Sequence, residues 1–384
     1  MKFQDTQSMD ERLELMSALS KSFLFRAAKI DEEGAFPYEN ISELKTSGYT
    51  SLTIPKRYGG EEISLYDLVR FQEYIARGDG ATALSIGWHM GIIKDLGEKN
   101  NWNESIFRML CEDVKNGALI NNCASEPQTG SPTRGGKPTT TAVKQDGFWL
   151  INGRKTYTTM SPVLDYFNVT ATIPESNKVA YFLISRSTQG VEIEETWDSI
   201  AMKGTGSHDL ILNNVKVKEE NLVEYFEPGK KGASGWLLHI PACYLGIAQA
   251  AANHAIEFAK SYSPNSIKGT ISDFPNVQQK IGEMELELIR ARHFLYSVAK
   301  QWDLSAKDER NQMNPELGAV KLSVTNSAIT IVDLAMRIVG ASSLSKKNLL
   351  QQYYRDVRAG LHNPPMDDMT ILLLAKNAIN RSVD

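Results

Sequence analysis

Hydrophobic positions recur at helical spacing in the first third of the chain and again in the last third. Between them they alternate or run together as in strands. Over residues 10–30, Leu13, Met16, Leu19, Phe23, Phe25 and Ala28 follow a helical rhythm, with acids early and basic residues later, as the helix dipole favours. Residues 40–47 read as a short second helix ended by Gly48, and Pro55 with Gly59-Gly60 forces a loop. Ser64 supplies an N-cap for a helix over 65–77, and a long apolar helix over 81–96 carries Trp88 and His89. A helix over 103–115 closes a helical first domain, 1–117.

From residue 118 the period changes. Residues 118–124 form a short apolar run bounded by turn residues, the mark of a buried strand. It stops at Ser125-Glu126-Pro127, because proline has no N–H for a ladder and biases Glu126 toward extended backbone. Residues 139–144 and 148–151 alternate around Asp146-Gly147, a strong hairpin signal. Asn152-Gly153 predicts a second tight turn, so that 154–159 becomes a third antiparallel strand. Residues 165–172 and 179–185 are strand-like, and a Gly-rich turn at 204–207 feeds an alternating strand; together these define a β domain over 118–230. The remainder, 231–384, is helical again, with helices over 237–262, 275–301, 315–339, 347–360 and 366–379. The first of these bears a face of small residues, including Gly246, Ala248 and Ala252, which permits close helix packing.

Composition narrows the class. A chain of 384 residues, 42% hydrophobic and 23% charged, has the make-up of an ordinary soluble globular protein of two or three domains. A net charge of −4, without a basic run interleaved with aromatics, argues against a nucleic-acid partner. Cys111, Cys123 and Cys243 lie far apart with no C-x-x-C spacing, so neither a disulfide framework nor a metal site is expected and a reducing compartment fits better. The first residues lack the apolar core of a secretion signal, and no uninterrupted apolar run reaches the roughly 18 residues of a membrane span. A cytoplasmic protein without a membrane span is the expectation.

A strand ending in E-P-x-x-G-S (126–131), then I-N-G-x-K (151–155) and an aromatic-x-Thr close (157–159), resembles the middle domain of the acyl-CoA dehydrogenase family. A P-x-x-Y-G-G loop at 55–60 falls at the matching place, and the resemblance extends over nearly the whole chain. It implies an α+β fold: an N-terminal helical domain, a middle antiparallel β-barrel domain and a C-terminal four-helix bundle. It further implies FAD, an acyl thioester or similarly shaped substrate from fatty acid metabolism, and an electron-transfer flavoprotein as partner. Assembly as a homo-oligomer, dimer or tetramer, through the bundle is also implied.

By the same resemblance, the segment from Asn122 to Ser131 lines one side of the flavin ring, through backbone groups at Ala124 and Ser125 and the hydroxyls of Ser125 and Ser131. Tyr157, Thr158 and Thr159 cover the opposite face, Tyr157 standing where the family has tryptophan. The family's R-x-x-F-G element is absent. Its Q-x-x-G-G-x-G element corresponds to R-I-V-G-A-S-S, which keeps Gly340 and puts Arg337 in place of glutamine, either as a donor fork for phosphate or adenine or as half an ion pair.

The largest departure is catalytic. The family's base, a carboxylate that removes the proton alpha to the thioester carbonyl, lies shortly after R-D-x-K/R. Here the stretch reads Y-R-D-V-R-A-G-L-H-N-P-P, and Pro364 falls where glutamate belongs. The alternative family position, on the first long C-terminal helix, holds Trp236. His362 is then the candidate acid or base, while Asp367 and Asp368 more simply cap a helix. Ser131, His89 and Trp236 are expected on the substrate side, although a histidine in an apolar helix is also a common core residue. The L-H-N-P pattern, with G-T-G-S and the Trp-His pair, is similar to a branch of the same superfamily, monooxygenases that take reduced flavin from a flavin reductase and for which FMN is an alternative to FAD. The expected function is FAD-dependent oxidation of an acyl-CoA or similarly shaped substrate. Two-component monooxygenation, or binding of flavin or acyl-CoA without catalysis, are the alternatives.

Overall fold

A computed structural model describes residues 2–129, 135–229, 232–266 and 268–381. The N-terminal region comprises α1 (Met9–Glu33), α2 (Tyr38–Thr46), α3 (Leu65–Gly78), α4 (Gly80–Lys99) and α5 (Glu104–Lys115). The Ser64 hydroxyl accepts the Asp67 N–H at the start of α3, and Asp79 caps Thr82 at the start of α4, so one residue separates the two helices. The middle region holds β1 (Ile120–Cys123), β2 (Thr141–Gln145), β3 (Phe148–Thr158), β4 (Tyr166–Ile173), β5 (Lys178–Ser185), β6 (Val191–Glu194), β7 (His208–Lys218) and β8 (Leu222–Phe226). They form one sheet in the order β6-β7-β3-β2-β4-β5-β8, with β1 beside β4. The pairing is mostly antiparallel, but β1 and β2 each run parallel to β4.

The Asp146-Gly147 turn is present, both residues taking left-handed backbone (φ 48° and 81°), as that hairpin requires. The expected turn at Asn152-Gly153 is not. β3 runs straight through it as one strand of 11 residues, with a register shift against β7 between Ile151 and Gly153. The glycine serves close approach instead: a Cβ at Gly153 would lie 2.3 Å from Thr140 Oγ1 and 2.7 Å from Thr140 Cα. Asn152 Oδ1 accepts the Asn214 N–H at 2.8 Å and satisfies a backbone group that the bulge would leave open.

The C-terminal region comprises α6 (His239–Ser261), α7 (Pro275–Leu304), α8 (Lys307–Gln312), α9 (Asn314–Val339), α10 (Leu349–Ala359) and α11 (Asp367–Ile379). The small-residue face of α6 brings Gly246 so close to α3 that a Cβ there would stand 2.3 Å from the Glu73 carbonyl oxygen. The segment Asn314–Leu344 contains a window with mean hydropathy 1.4, apolar enough for a membrane crossing. That helix is a core member of the bundle, with Val320, Val324, Ala328, Ile331 and Ala335 buried and α6 and α7 packed on it.

One joint between the sheet region and the helices centres on α10. Arg355 on α10 holds Asp31 on α1 at 2.5 Å and donates to the Ile200 carbonyl, while Asp356 accepts the Met202 N–H at 2.6 Å. Lys203 closes the ring by donating to the Asp31 carbonyl at 3.1 Å.

Candidate functional site

Three segments meet at one end of the sheet: the bend after β1, the end of β3, and the turn before β7. Asn121 donates from Nδ2 to the Thr159 carbonyl at 2.9 Å, and the Thr156 N–H donates to the Ser125 carbonyl at 2.9 Å. The structure thus brings Asn122, Ala124 and Ser125 alongside Tyr157, Thr158 and Thr159. Thr159 Oγ1 lies 2.9 Å from Ser207 Oγ, which lies 2.8 Å from Thr205 Oγ1, a buried chain of hydroxyls that joins β3 to the G-T-G-S turn. Asn122 accepts from Asn168 Nδ2 at 2.8 Å. Ser131 lies outside the described residues.

The bend is fixed by a buried ion pair. Glu126 meets Lys155 Nζ at 2.6 Å, with both side chains fully buried, and also accepts from the Thr139 N–H at 2.6 Å, the Thr139 hydroxyl at 2.6 Å and the Thr140 N–H at 3.1 Å. Burial alone would raise the Glu126 carboxyl, but Lys155 and these donors outweigh it and hold it down at about 2. The carboxylate is therefore spent on the loop and is no candidate for proton abstraction.

Tyr157 is the most unusual residue at the site. Its backbone is left-handed (φ 55°), a sparse region for a bulky side chain, and the residue is 67% exposed. Trp197 meets that ring edge-on at 6.1 Å, and the Trp197 indole N–H is itself held by the Lys203 carbonyl at 3.1 Å. A strained backbone that keeps an aromatic face in the open, flanked by strand-end donors, fits a flat heteroaromatic group such as a flavin ring.

The other expected residues are dispersed. Arg337 on α9 pairs with Asp333 one turn earlier at 2.7 Å and stays largely exposed, while Gly340 ends that helix with a positive φ of 71°. The ion-pair reading of Arg337 thus describes its environment. His362 is exposed in the loop after α10, and the neighbouring Asn363 accepts the Tyr244 O–H at 2.5 Å, anchoring that loop to α6. Asp367 lies in the first turn of α11, where it meets Lys321 Nζ at 3.1 Å, so α11 is capped by neither aspartate but begins with both.

His89 requires a correction. It is fully buried, Nε2 lies 3.0 Å from the Thr50 carbonyl, and Nδ1 accepts the Ile120 N–H at 3.2 Å. With both nitrogens committed to backbone, it stitches α4 to β1 and has none left for a substrate. Burial pulls it down to about 4, so it is neutral. Trp236 is buried just before α6, stacked on His239 (5.8 Å between centroids, 4° between planes) and edge-on to Trp88 at 5.7 Å.

Sequence reading missed Glu126 and Lys155 as a pair, the hydroxyl chain through Ser207, and His239. A lysine inside the otherwise strand-forming segment of β3, and an acid at the bend that ends β1, were the available signal for the ion pair.

The same three-part division recurs in known proteins. Family models for the acyl-CoA dehydrogenase N-terminal domain, middle domain and C-terminal domain match residues 13–99, 122–215 and 238–361. YdbM of Bacillus subtilis (strain 168), provisionally named an acyl-CoA dehydrogenase, is 55% identical over 368 residues, covering 95% of this chain and 96% of its own. The chain belongs to the acyl-CoA dehydrogenase family. Its fold matches butyryl-CoA dehydrogenase from Megasphaera elsdenii with a TM-score of 0.85 at 19% identity, covering 98% of this chain and 100% of that one. It matches methanesulfinate monooxygenase MsuC from Pseudomonas fluorescens equally, with a TM-score of 0.85 at 20% identity over 99% and 98% of the two chains.

Proposed function

We propose that the protein holds a flavin between the bend after β1 and Tyr157–Thr159, and with it oxygenates a compact substrate rather than dehydrogenating an acyl thioester. One observation carries this reading: neither position from which the family draws its base holds a carboxylate, Pro364 standing at one and Trp236 at the other. The acids near these segments are engaged, Asp367 with Lys321, Asp356 with the Met202 N–H and Glu126 with Lys155. Abstraction of an alpha proton needs a positioned base, and proline and tryptophan have none to offer.

A bound flavin supplies hydride uptake when oxidised and oxygen activation when reduced. Ala124, Ser125, Thr158 and Thr159 would hold its ring, and Tyr157 would cover one face. His362, exposed in a loop that Tyr244 fixes through Asn363, is the candidate to exchange a proton with substrate or solvent. The partner is a flavin reductase, and the assembly is a dimer or tetramer covering exposed Leu286, Ile289, Ile371 and Leu372 on α7 and α11. Free Cys111, Cys123 and Cys243 suit a cytoplasmic location.

The second reading, an FAD-dependent acyl-CoA dehydrogenase coupled to an electron-transfer flavoprotein, is favoured by the name of the 55% identical relative. An anaerobic titration separates the two. Acyl-CoA that bleaches the oxidised flavin establishes the dehydrogenase and sinks the oxygenase; oxygen uptake that requires added reductase, with no bleaching, supports the oxygenase. Chromatography of the released cofactor distinguishes FAD from FMN.

A further inference from the structure

The interface between α4 and α6 contains a polar group that no role above uses. Gly87 and Gly91 on α4 open space for His239 and Trp236: a Cβ at Gly87 would lie 2.3 Å from His239 Nδ1, and one at Gly91 2.3 Å from the Trp236 ring. His239 is fully buried, and among the described residues neither of its ring nitrogens has a hydrogen-bond partner. Trp236 stacks on it, and Trp88, half-buried, meets it edge-on at 4.9 Å.

Two further unpartnered polar atoms adjoin it. Trp236 Nε1 is buried with no acceptor among the described residues. Gln72 donates through Nε2 to the Ala83 carbonyl, leaving Oε1 buried with no donor, and its amide nitrogen stands 2.6 Å from the same Gly87 Cβ position that His239 crowds. Burial depresses the imidazole to about 3, so it carries one N–H and one lone pair at neutral pH.

His89 supplies the contrast. It is equally buried, one position from Trp88 on the same helix, and both its nitrogens are satisfied by backbone. A leucine would fill the place of His239 without an orphaned polar atom, so packing alone disfavours histidine there. The cluster offers two donors, Trp236 Nε1–H and the imidazole N–H, and two acceptors, the second imidazole nitrogen and Gln72 Oε1. All are neutral, and a charge placed among them would be desolvated without a counter-ion.

We propose that His239, with Trp236 and Gln72, is a substrate-positioning nest that receives an uncharged group bearing both a hydrogen-bond donor and an acceptor. The proposal deepens, and rests on, the reading of a compact substrate given above. Trp88 leads from the nest to the face of α4 where His89 ties to β1, two residues before Asn122, so the nest adjoins the strand that leads into the flavin crevice.

The test uses full-length protein with the flavin it retains on purification, labelled with 15N-histidine, and three probes of one shape: benzamide, benzoate and toluene. Benzamide should shift the His239 ring signals, assigned by their absence in His239→Leu, while benzoate and toluene should not. His239→Leu should weaken benzamide binding about tenfold or more and raise Tm by a few degrees, and His239→Gln should recover part of the affinity. Unmoved His239 signals with benzamide, or undiminished benzamide affinity in His239→Leu, overturn the nest. A lowered Tm in His239→Leu with unchanged affinity makes His239 a packing residue and overturns it too. In turnover, KM should rise in His239→Leu while flavin content stays constant. Benzamide binding that depends on His239, in a protein that consumes no oxygen with reductase, keeps the nest and sinks the oxygenase; the reverse result keeps the oxygenase and sinks the nest.

Discussion

At Glu126 and Lys155 two opposite charges are buried together, and the pair is held by what each would cost alone. Lys155→Met leaves a carboxylate in the sheet with only neutral donors, and should destabilise the protein by about 3–5 kcal/mol in urea unfolding. Glu126→Gln combined with Lys155→Met should recover much of that loss, since no unpaired charge remains. The pH dependence has a definite sign. Glu126 is held at about 2, below its ordinary 4.5, so its contribution is present above pH 4.5 and is lost as pH falls toward 2. The stability gap between wild type and Glu126→Gln should therefore be widest near neutrality and close in acid. His89 loses stability in a higher window. Its folded value of about 4 lies under its ordinary 6.5, so its neutral form contributes fully above pH 6.5 and that contribution wanes below it. At pH 5 the loss is about 2 kcal/mol, and thermal unfolding of His89→Gln at pH 7 and pH 5 should show a flatter slope than wild type.

Among the elements, β3 shows where local sequence preference stops deciding. Asp146-Gly147 and Asn152-Gly153 carry the same hairpin signal, yet only the first turns. The second is overruled by distant partners, Asn214 at the bulge and Thr140 across it, which no window of sequence contains. Gly153→Val should accordingly cost several kcal/mol, because the added carbons meet the Thr140 backbone and not just a movable side-chain tip; a Tm within about 2 °C of wild type would contradict this. The helices were legible because their signals are local: Ser64, Asp79 and Asn103 each cap the helix they precede. The crevice was legible as a pair of motifs, since the E-P bend and the Tyr-Thr-Thr close are each contiguous in sequence. The ion pair beneath it was not, because period-two reading assigns Lys155 a face and not a partner 29 residues away. His239 was invisible for a similar reason: I-P-A-C after it reads as core, and only the tertiary structure shows that its nitrogens are unpaired.

At the scale of the molecule, the joint between sheet and helices governs how the crevice meets α6 and the loop after α10. Asp356 lies at its centre, and burial, with Asp31 and Asp79 nearby, pushes its carboxyl up to about 7 against the Met202 N–H that favours the charged form. Folding then takes up protons between pH 4 and 7, so this group's contribution shrinks as pH rises through that window. Asp356→Asn, whose carbonyl can still accept from Met202, should gain stability relative to wild type as pH rises, the opposite trend to Glu126→Gln, and calorimetry at pH 5 and pH 8 checks it. The same joint bears on the missing base. Pro364 sits eight residues beyond Asp356, in a loop that Tyr244 anchors through Asn363, so a carboxylate placed there enters an already ordered segment. Were the missing carboxylate the only obstacle to acyl-CoA oxidation, Pro364→Glu would restore bleaching of the flavin by an acyl-CoA. Trp88, Trp236 and His239 instead crowd the interface between α4 and α6 and leave it suited to a compact neutral group, and the expected outcome for Pro364→Glu is folded, flavin-loaded protein that no acyl-CoA bleaches. Bleaching in that variant would show that the scaffold still accepts a thioester and would return the protein to the dehydrogenases.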